Sequence, residues 1–229
     1  MSAMVGQLDS SRQGFLVKVY AHLMMAVVAF IGIEFLLFQI GLADASYRAL
    51  MAMGKQAGYG WLLVLTFFGI AGMVANRFAH SQGALIQYTG LLLYVVTEAL
   101  LFMPMLCMAR AHSDPTIIPA AAVSTAVMFT CLSAFVIFTG ARFNFLGGVI
   151  AVLSIASLGV IVTSLLFGLY LGTLFSAVMV VLAGMCILYE TSTICDEYDE
   201  DSYVGAALSL FASLTLMFWY ILRIFMSRD

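Results

Sequence analysis

The sequence predicts an all-α integral membrane bundle of seven transmembrane helices, and two observations carry that prediction. Of 229 residues, 64% are hydrophobic and only 9% charged, against roughly 45–50% apolar and about 25% charged in an average soluble domain. A water-soluble fold of this length has no interior large enough to hide so much apolar surface. The apolar residues also fall in continuous runs, and a bilayer core about 30 Å thick takes ~20 helical residues to cross. Barrel strands would instead alternate lipid-facing and lumen-facing side chains over ~10 positions.

Cutting the chain on that length gives the elements in order. The first run, Val19 to Leu42, precedes an Ala43-Asp44-Ala45 triplet that resembles a signal-peptidase site. A signal peptide has an apolar core of only about 7–15 residues, so this run reads as a span. Gly58 to Ala75, Leu85 to Met108, Ile117 to Thr139, Phe145 to Phe167, Leu171 to Tyr189 and Val204 to Phe225 follow. The connectors carry polar residues and helix breakers: Asp44 to Lys55, Asn76 to Gly83, Ala109 to Asp114 ahead of Pro115, Gly140 to Asn144, Gly168 to Tyr170, and Glu190 to Tyr203. All are short, which favours antiparallel neighbours. The domain reading is a short N-terminal segment (1–18), one transmembrane domain (19–225) and a short tail (226–229). No internal repeat is visible, and seven spans form the matching halves of an inverted-repeat transporter only if one is extra.

Charge excludes some functions and leaves orientation open. The formal charge of −3 comes largely from one acidic stretch, and no basic patch exists for nucleic acid to bind. With the N-terminus in the cytoplasm, Arg12, Lys18, Arg77 and Arg142 fall inside and Arg48, Lys55, Arg110, Arg223 and Arg228 outside, a split that sets no orientation. An odd number of spans places the acidic connector on the N-terminal side. Cys107, Cys131, Cys186 and Cys195 have no metal-type spacing and read as small hydrophobes. His22, His80 and His112 are widely separated and read as packing or interfacial residues. Zinc-protease, nucleophile-elbow, Walker and dinucleotide motifs are absent, so the expectation is a protein that is not an enzyme and has no cofactor.

Ionisable groups inside apolar runs are the informative ones, because each is costly unless paired or wetted. Glu34 lies in the first run and Glu98 near the middle of the third. Each is either a side chain held by hydrogen bonds or snorkelling to an interface, or an ion or proton site. Glu190 ends the sixth run and opens an acidic stretch with Asp196, Glu197, Asp199, Glu200 and Asp201. That stretch is either a solvated connector or a place where carboxylates gather a hard cation such as calcium, which takes six to eight oxygen ligands. It lacks the EF-hand spacing, so a calcium site would have to be assembled from several helices. Arg77, where the second run ends, is either a headgroup anchor or a salt-bridge latch to Glu190. Protonating Glu190 would weaken such a latch. Gly147-Gly148 and the Gly168/Gly172 pair suit close helix packing.

Several stretches together resemble the Bax inhibitor family over nearly the whole chain. They are Phe15-Leu-Val-Lys-Val-Tyr20, Met128-Phe-Thr-Cys-Leu-Ser133, Phe143-Asn-Phe-Leu-Gly-Gly148, Leu188-Tyr-Glu-Thr191, Ala206-Ala-Leu-Ser-Leu-Phe211 and Tyr220-Ile-Leu-Arg223. The resemblance implies seven helices with a central one wrapped by the rest, and a pH-sensitive calcium leak in some members. Eukaryotic relatives suppress cell death, and bacterial ones include a modulator of a membrane-bound AAA protease. In the leak members a carboxylate pair senses pH and an arginine of the second helix latches onto it. Aligned locally, Glu190 matches the first acid, Arg77 the arginine, and Ser213 stands at the second acid. A proton shared between two carboxylates cannot form with a serine, although Glu98 or Asp196 could supply a second carboxylate.

These readings lead to a pH-modulated cation pathway, most plausibly calcium leak. Glu190 would be the titrating group and calcium ligand, Arg77 its latch, and Ser213 a polar neighbour. The alternative is a non-conducting regulator that binds a membrane-bound AAA protease or another membrane protein. A proton-coupled transporter or intramembrane enzyme would need a cavity at Glu98 or Glu34. The short C-terminus Met226-Ser-Arg-Asp229 lacks the basic tail of eukaryotic death suppressors, which points to a bacterial plasma membrane, with the lipid bilayer as the first partner.

Overall fold

The computed structural model describes residues 10–52, 69–79, 81, 83–169, 171–196, 198–199 and 201–227, and among these all regular structure is helical. The helices are α1 (Ser10–Gln39), α2 (Leu42–Ala52), α3 (residues 69–79), α4 (Ala84–His112), α5 (Ile117–Thr139), α6 (Leu146–Phe167), α7 (Thr173–Asp196) and α8 (Tyr203–Met226). Six of them, α1 and α4 to α8, are long and apolar enough to cross a membrane. The expected span from Gly58 to Ala75 lies mostly outside the described residues, and only its last part falls in α3.

α8 is the central helix. It packs against α1, α4, α5 and α7, and 67% of its most apolar window is buried. Its first turns carry Val204, Ala206, Ala207 and Leu208, all at 0–1% exposure, where small side chains let neighbouring backbones approach closely. α6 is the opposite case, packing against α7 with only 6% of its window buried. The other side chains of α6 face outward, where lipid is as apolar as they are.

Helix ends follow the expected punctuation. α5 and α6 each stop at a left-handed glycine, Gly140 (φ 64°) and Gly168 (φ 67°), whose N–H groups bond back to the Val136 and Ser164 carbonyls. The tightest approach is between α3 and α4. A Cβ on Gly90 would lie 2.6 Å from the Ala75 carbonyl oxygen and 2.9 Å from the Phe78 carbonyl carbon, so backbone rests on backbone.

Three departures of the helices from the apolar runs bear on the site. α1 begins at Ser10 rather than Val19, because Phe15 and Leu16 ahead of the run are buried in the core. The stretch from Asp44 contains the amphipathic α2, which packs on α4 and α1 with Ala43 fully buried. α7 continues past Tyr189 to Asp196, so Glu190 lies within a helix and not in a connector. Thr191, Ser192 and Ile194, all at most 1% exposed, show why: this turn packs against the bundle.

Candidate functional site

The polar residues gather at the end of the bundle where α1 and α8 begin, α7 ends and the α5–α6 connector passes. Arg12 of α1 donates through Nη1 to the Tyr198 carbonyl (2.6 Å) and through Nη2 to the Asp196 carbonyl (3.2 Å). A cation on the last carbonyls of α7 complements the negative end of that helix. The Ser192 hydroxyl accepts from the Phe143 N–H (2.9 Å) and donates to Asn144 Oδ1 (3.1 Å). Arg142 Nε pairs with Asp196 Oδ2 at 3.0 Å, with 78% of the arginine side chain exposed. Such an exposed pair contributes about 0–1 kcal/mol, so the serine bonds do most of the fastening. These contacts explain why α7 stays helical to Asp196: its last turn is held from two sides.

Inside this rim lies a hydroxyl cluster. Thr191 and Ser133 are buried with their oxygens 3.5 Å apart, and the Tyr20 hydroxyl lies beside both. Three helices, α1, α5 and α7, each contribute one hydroxyl. Glu190, half-buried on the adjoining side of α7, acts on Tyr198 and Cys186 through its charge. Burial pushes the Tyr198 hydroxyl above its ordinary range, and the Glu190 charge adds to this, while a bond to Ser209 opposes it. Ser213 is buried in α8 one turn beyond Ser209.

The other residues singled out from the sequence lie elsewhere. Arg77 is exposed on α3 beside an open groove with Met73, Val74 and Asn76. Among the described residues no ion pair joins it to Glu190; the carboxylate that holds an arginine is Asp196, and the arginine is Arg142. Glu98 is half-buried in α4, hydrogen-bonded to Tyr94 one turn back. Glu34 is buried in α1, with neither carboxylate oxygen hydrogen-bonded. Among the described residues, no three His, Cys, Asp or Glu side chains are grouped to hold a metal ion. His22 accepts no metal role: its Nδ1 lies 2.7 Å from the Lys18 carbonyl and must donate to it, which in the neutral ring leaves Nε2 to accept from the Tyr88 hydroxyl at 2.7 Å. His112 sits against Tyr47, Cys131 is exposed, and His80 lies outside the described residues.

Between the polar end and the opposite end, aromatic rings pack together in the interior. Phe30 meets Phe102 at 5.4 Å and Phe211 at 6.0 Å, edge-on in both cases. Phe102 stacks on Phe218 at 5.6 Å and meets Trp219 at 4.9 Å, and Tyr94 packs edge-on against Phe211 at 6.2 Å.

The family model for inhibitor of apoptosis-promoting Bax1 matches residues 12–229. The chain belongs to the Bax inhibitor family. It is 31% identical over 175 residues to "Modulator of FtsH protease YccA" of Escherichia coli K12, a match covering 73% of this chain and 77% of the relative. It is 30% identical over 193 residues to an uncharacterized protein of Neisseria meningitidis serogroup A, covering 82% and 81% of the two chains. The corresponding protein of Escherichia coli O6:H1, also 31% identical over 175 residues, is named inner membrane protein YccA. No solved structure matches. With six apolar spans among its described residues and these kin, the chain is a multi-pass protein of the bacterial inner membrane.

Sequence reasoning did not single out the hydroxyl cluster or the arginine clamps. Ser133 and Thr191 lie in the stretches that carry the family resemblance, and a hydroxyl within an apolar run is the signal that would have marked them. Arg12 and Arg142 carry no such mark, because their partners are backbone carbonyls and a carboxylate far away in sequence.

Proposed function

We propose that this protein is a non-enzymatic regulator of a membrane-bound AAA protease, acting through the lipid-facing side of its helical bundle. The observation that carries this reading is kinship across 73% of the chain with a protein named as a modulator of FtsH protease. The bundle supports it in two ways. Aromatic rings pack together within its interior, and α6 offers a long apolar face to the bilayer, with Val152 at 67% and Ile155 at 73% exposure. A photo-crosslinking residue at 152 or 155 should capture the protease in native membranes, and raising the level of the protein should lengthen the half-life of a membrane substrate of that protease. No capture together with unchanged substrate decay would sink the reading.

A second reading, a pH-modulated cation leak with calcium as the ion, is favoured by one feature. Glu190 is half-buried within electrostatic reach of Tyr198, whose hydroxyl bonds Ser209, at the mouth of the bundle. In this reading Glu190 titrates and binds the cation, Ser213 lies farther along the path, and Glu98 is the next carboxylate inward. Asp196 is committed to Arg142, and Arg77 would have to leave its exposed position to act as the latch. Calcium flux into liposomes carrying wild type or Glu190→Gln tests it; equal flux at every pH rules it out.

A further inference from the structure

Among the described residues, Glu34 is the carboxylate of the membrane-spanning helices that is buried without a hydrogen-bond partner. Glu190 lies among Tyr198 and Cys186, and Glu98 has Tyr94. Glu34 is 6% exposed, and both of its oxygens lack a hydrogen-bond partner.

Its place follows from the register of α1 against α4. Phe30 packs on Phe102 at 5.4 Å, and farther along Phe38 lies under the Arg110 guanidinium at 5.6 Å. The interval is the same on both helices, so Glu34 falls midway, opposite Leu106, which is 7% exposed. The aromatic layer of Phe30, Phe102, Phe211 and Phe218 lies between it and the polar end. Toward α2 it is separated from the surface by Phe38 and Arg110.

Among the described residues, the titratable groups on the elements packed against this part of α1 are few. α2 carries Asp44, Tyr47 and Arg48; α4 carries Cys107, Arg110 and His112, with Glu98 beyond the aromatic layer; α8 carries Tyr220 and Arg223; the adjoining half of α7 carries none before Cys186. Several have other engagements. Cys107 donates to Asp44 (3.4 Å), Arg48 to the Asp44 carbonyl (3.2 Å) and Arg223 to the Leu171 carbonyl (2.9 Å), while Tyr47 meets His112. Arg110 rests on a ring one helical turn from Glu34, and residues four apart on a helix have Cβ atoms about 5–6 Å apart.

An ionised carboxylate with no donor is not tolerated in so apolar a site; the group takes a proton instead. We propose that Glu34 is an intramembrane proton site, protonated in this arrangement, which releases its proton toward the α2 end and then pairs with Arg110. The proton leaves the carboxyl group for water at that face. The guanidinium slides off Phe38 and donates two N–H bonds to the two oxygens it uncovers. This proposal is independent of both functional readings, since its test reads neither protease capture nor ion flux.

The test is infrared difference spectroscopy across a pH series, on the full-length chain in lipid nanodiscs, in an E98Q/E190Q background. A protonated carboxylic-acid band is expected at neutral pH, absent in Glu34→Gln and lost as pH rises. Glutamate labelled with carbon-13 moves the same band, so its assignment does not depend on the folding of that variant. A neighbouring cation favours the charged form, so in Arg110→Gln the band should persist about one pH unit higher, a tenfold change in proton affinity. No Glu34-dependent band at neutral pH overturns the proton site. Loss of the band at the same pH in Arg110→Gln overturns the pairing.

Discussion

α6 and α8 are both continuous apolar helices, and α6 is the more apolar of the two. Yet α8 is the buried centre of the bundle, while nearly all of α6 faces outward. In water this would be a contradiction. In a bilayer it is expected, because lipid tails solvate a leucine as well as a protein interior does, so apolarity marks insertion and not burial. What selects a helix for the centre is shape and polarity. α8 offers Gly205, Ala206 and Ala207 for close contact and buries Ser213 and Thr215 away from lipid; α6 buries only Ser164.

Mutations at the centre and at the rim test this contrast, beginning with the largest expected effect. Phe102→Ala removes the ring that α1 and α8 share, and unfolding in detergent micelles should show a loss of about 3–5 kcal/mol. Gly90→Leu forces a side chain between two backbones in contact, and by the same measurement should cost about 1–3 kcal/mol or more. Ser192→Ala leaves the Phe143 N–H without its acceptor, for a loss of about 1–3 kcal/mol, whereas Arg142→Ala should cost at most about 1 kcal/mol and lose that effect in high salt. On α6, Ile155→Ala should stay within about 0.5 kcal/mol; a loss as large as that of Phe102→Ala would mean that α6 is packed against protein after all.

A pH dependence sharpens the same division. Tyr198 at the rim has its hydroxyl held above its ordinary range, chiefly by burial, so the folded state favours the neutral form. Its contribution is fully present below the unfolded value, near pH 10, and is lost as pH rises through the higher folded value. Alkaline titration of stability should therefore show a decline above about pH 10 that Tyr198→Phe reduces.

Run length made the spans legible. The expected Ile117 to Thr139 coincides with α5, and Phe145 to Phe167 differs from α6 by one residue at its start. Where a helix outruns its apolar stretch, run length has nothing to say. α7 extends through Thr191 and Ser192 because their hydroxyls are satisfied inside the bundle, and α1 reaches back to Ser10 because Phe15 and Leu16 find the core. The site was legible only in part, for a similar reason. Glu190, Glu98 and Glu34 stand out as charges in apolar runs, but the identity of a partner depends on packing between distant segments. Arg77 and Glu190 sit at helix ends expected on the same face, yet it is Arg142 that meets Asp196.

The fastening of the α5–α6 connector has a mechanical consequence. The peptide ahead of α6 is hooked by Ser192 and Arg142 onto the last two turns of α7, which also carry Glu190 and Thr191. A sideways pull on α6 in the plane of the bilayer would therefore load this hook directly. The outermost helix is strung to the polar mouth like a bowstring to its nock, and whatever grips it from the lipid side takes hold of the carboxylate's own backbone.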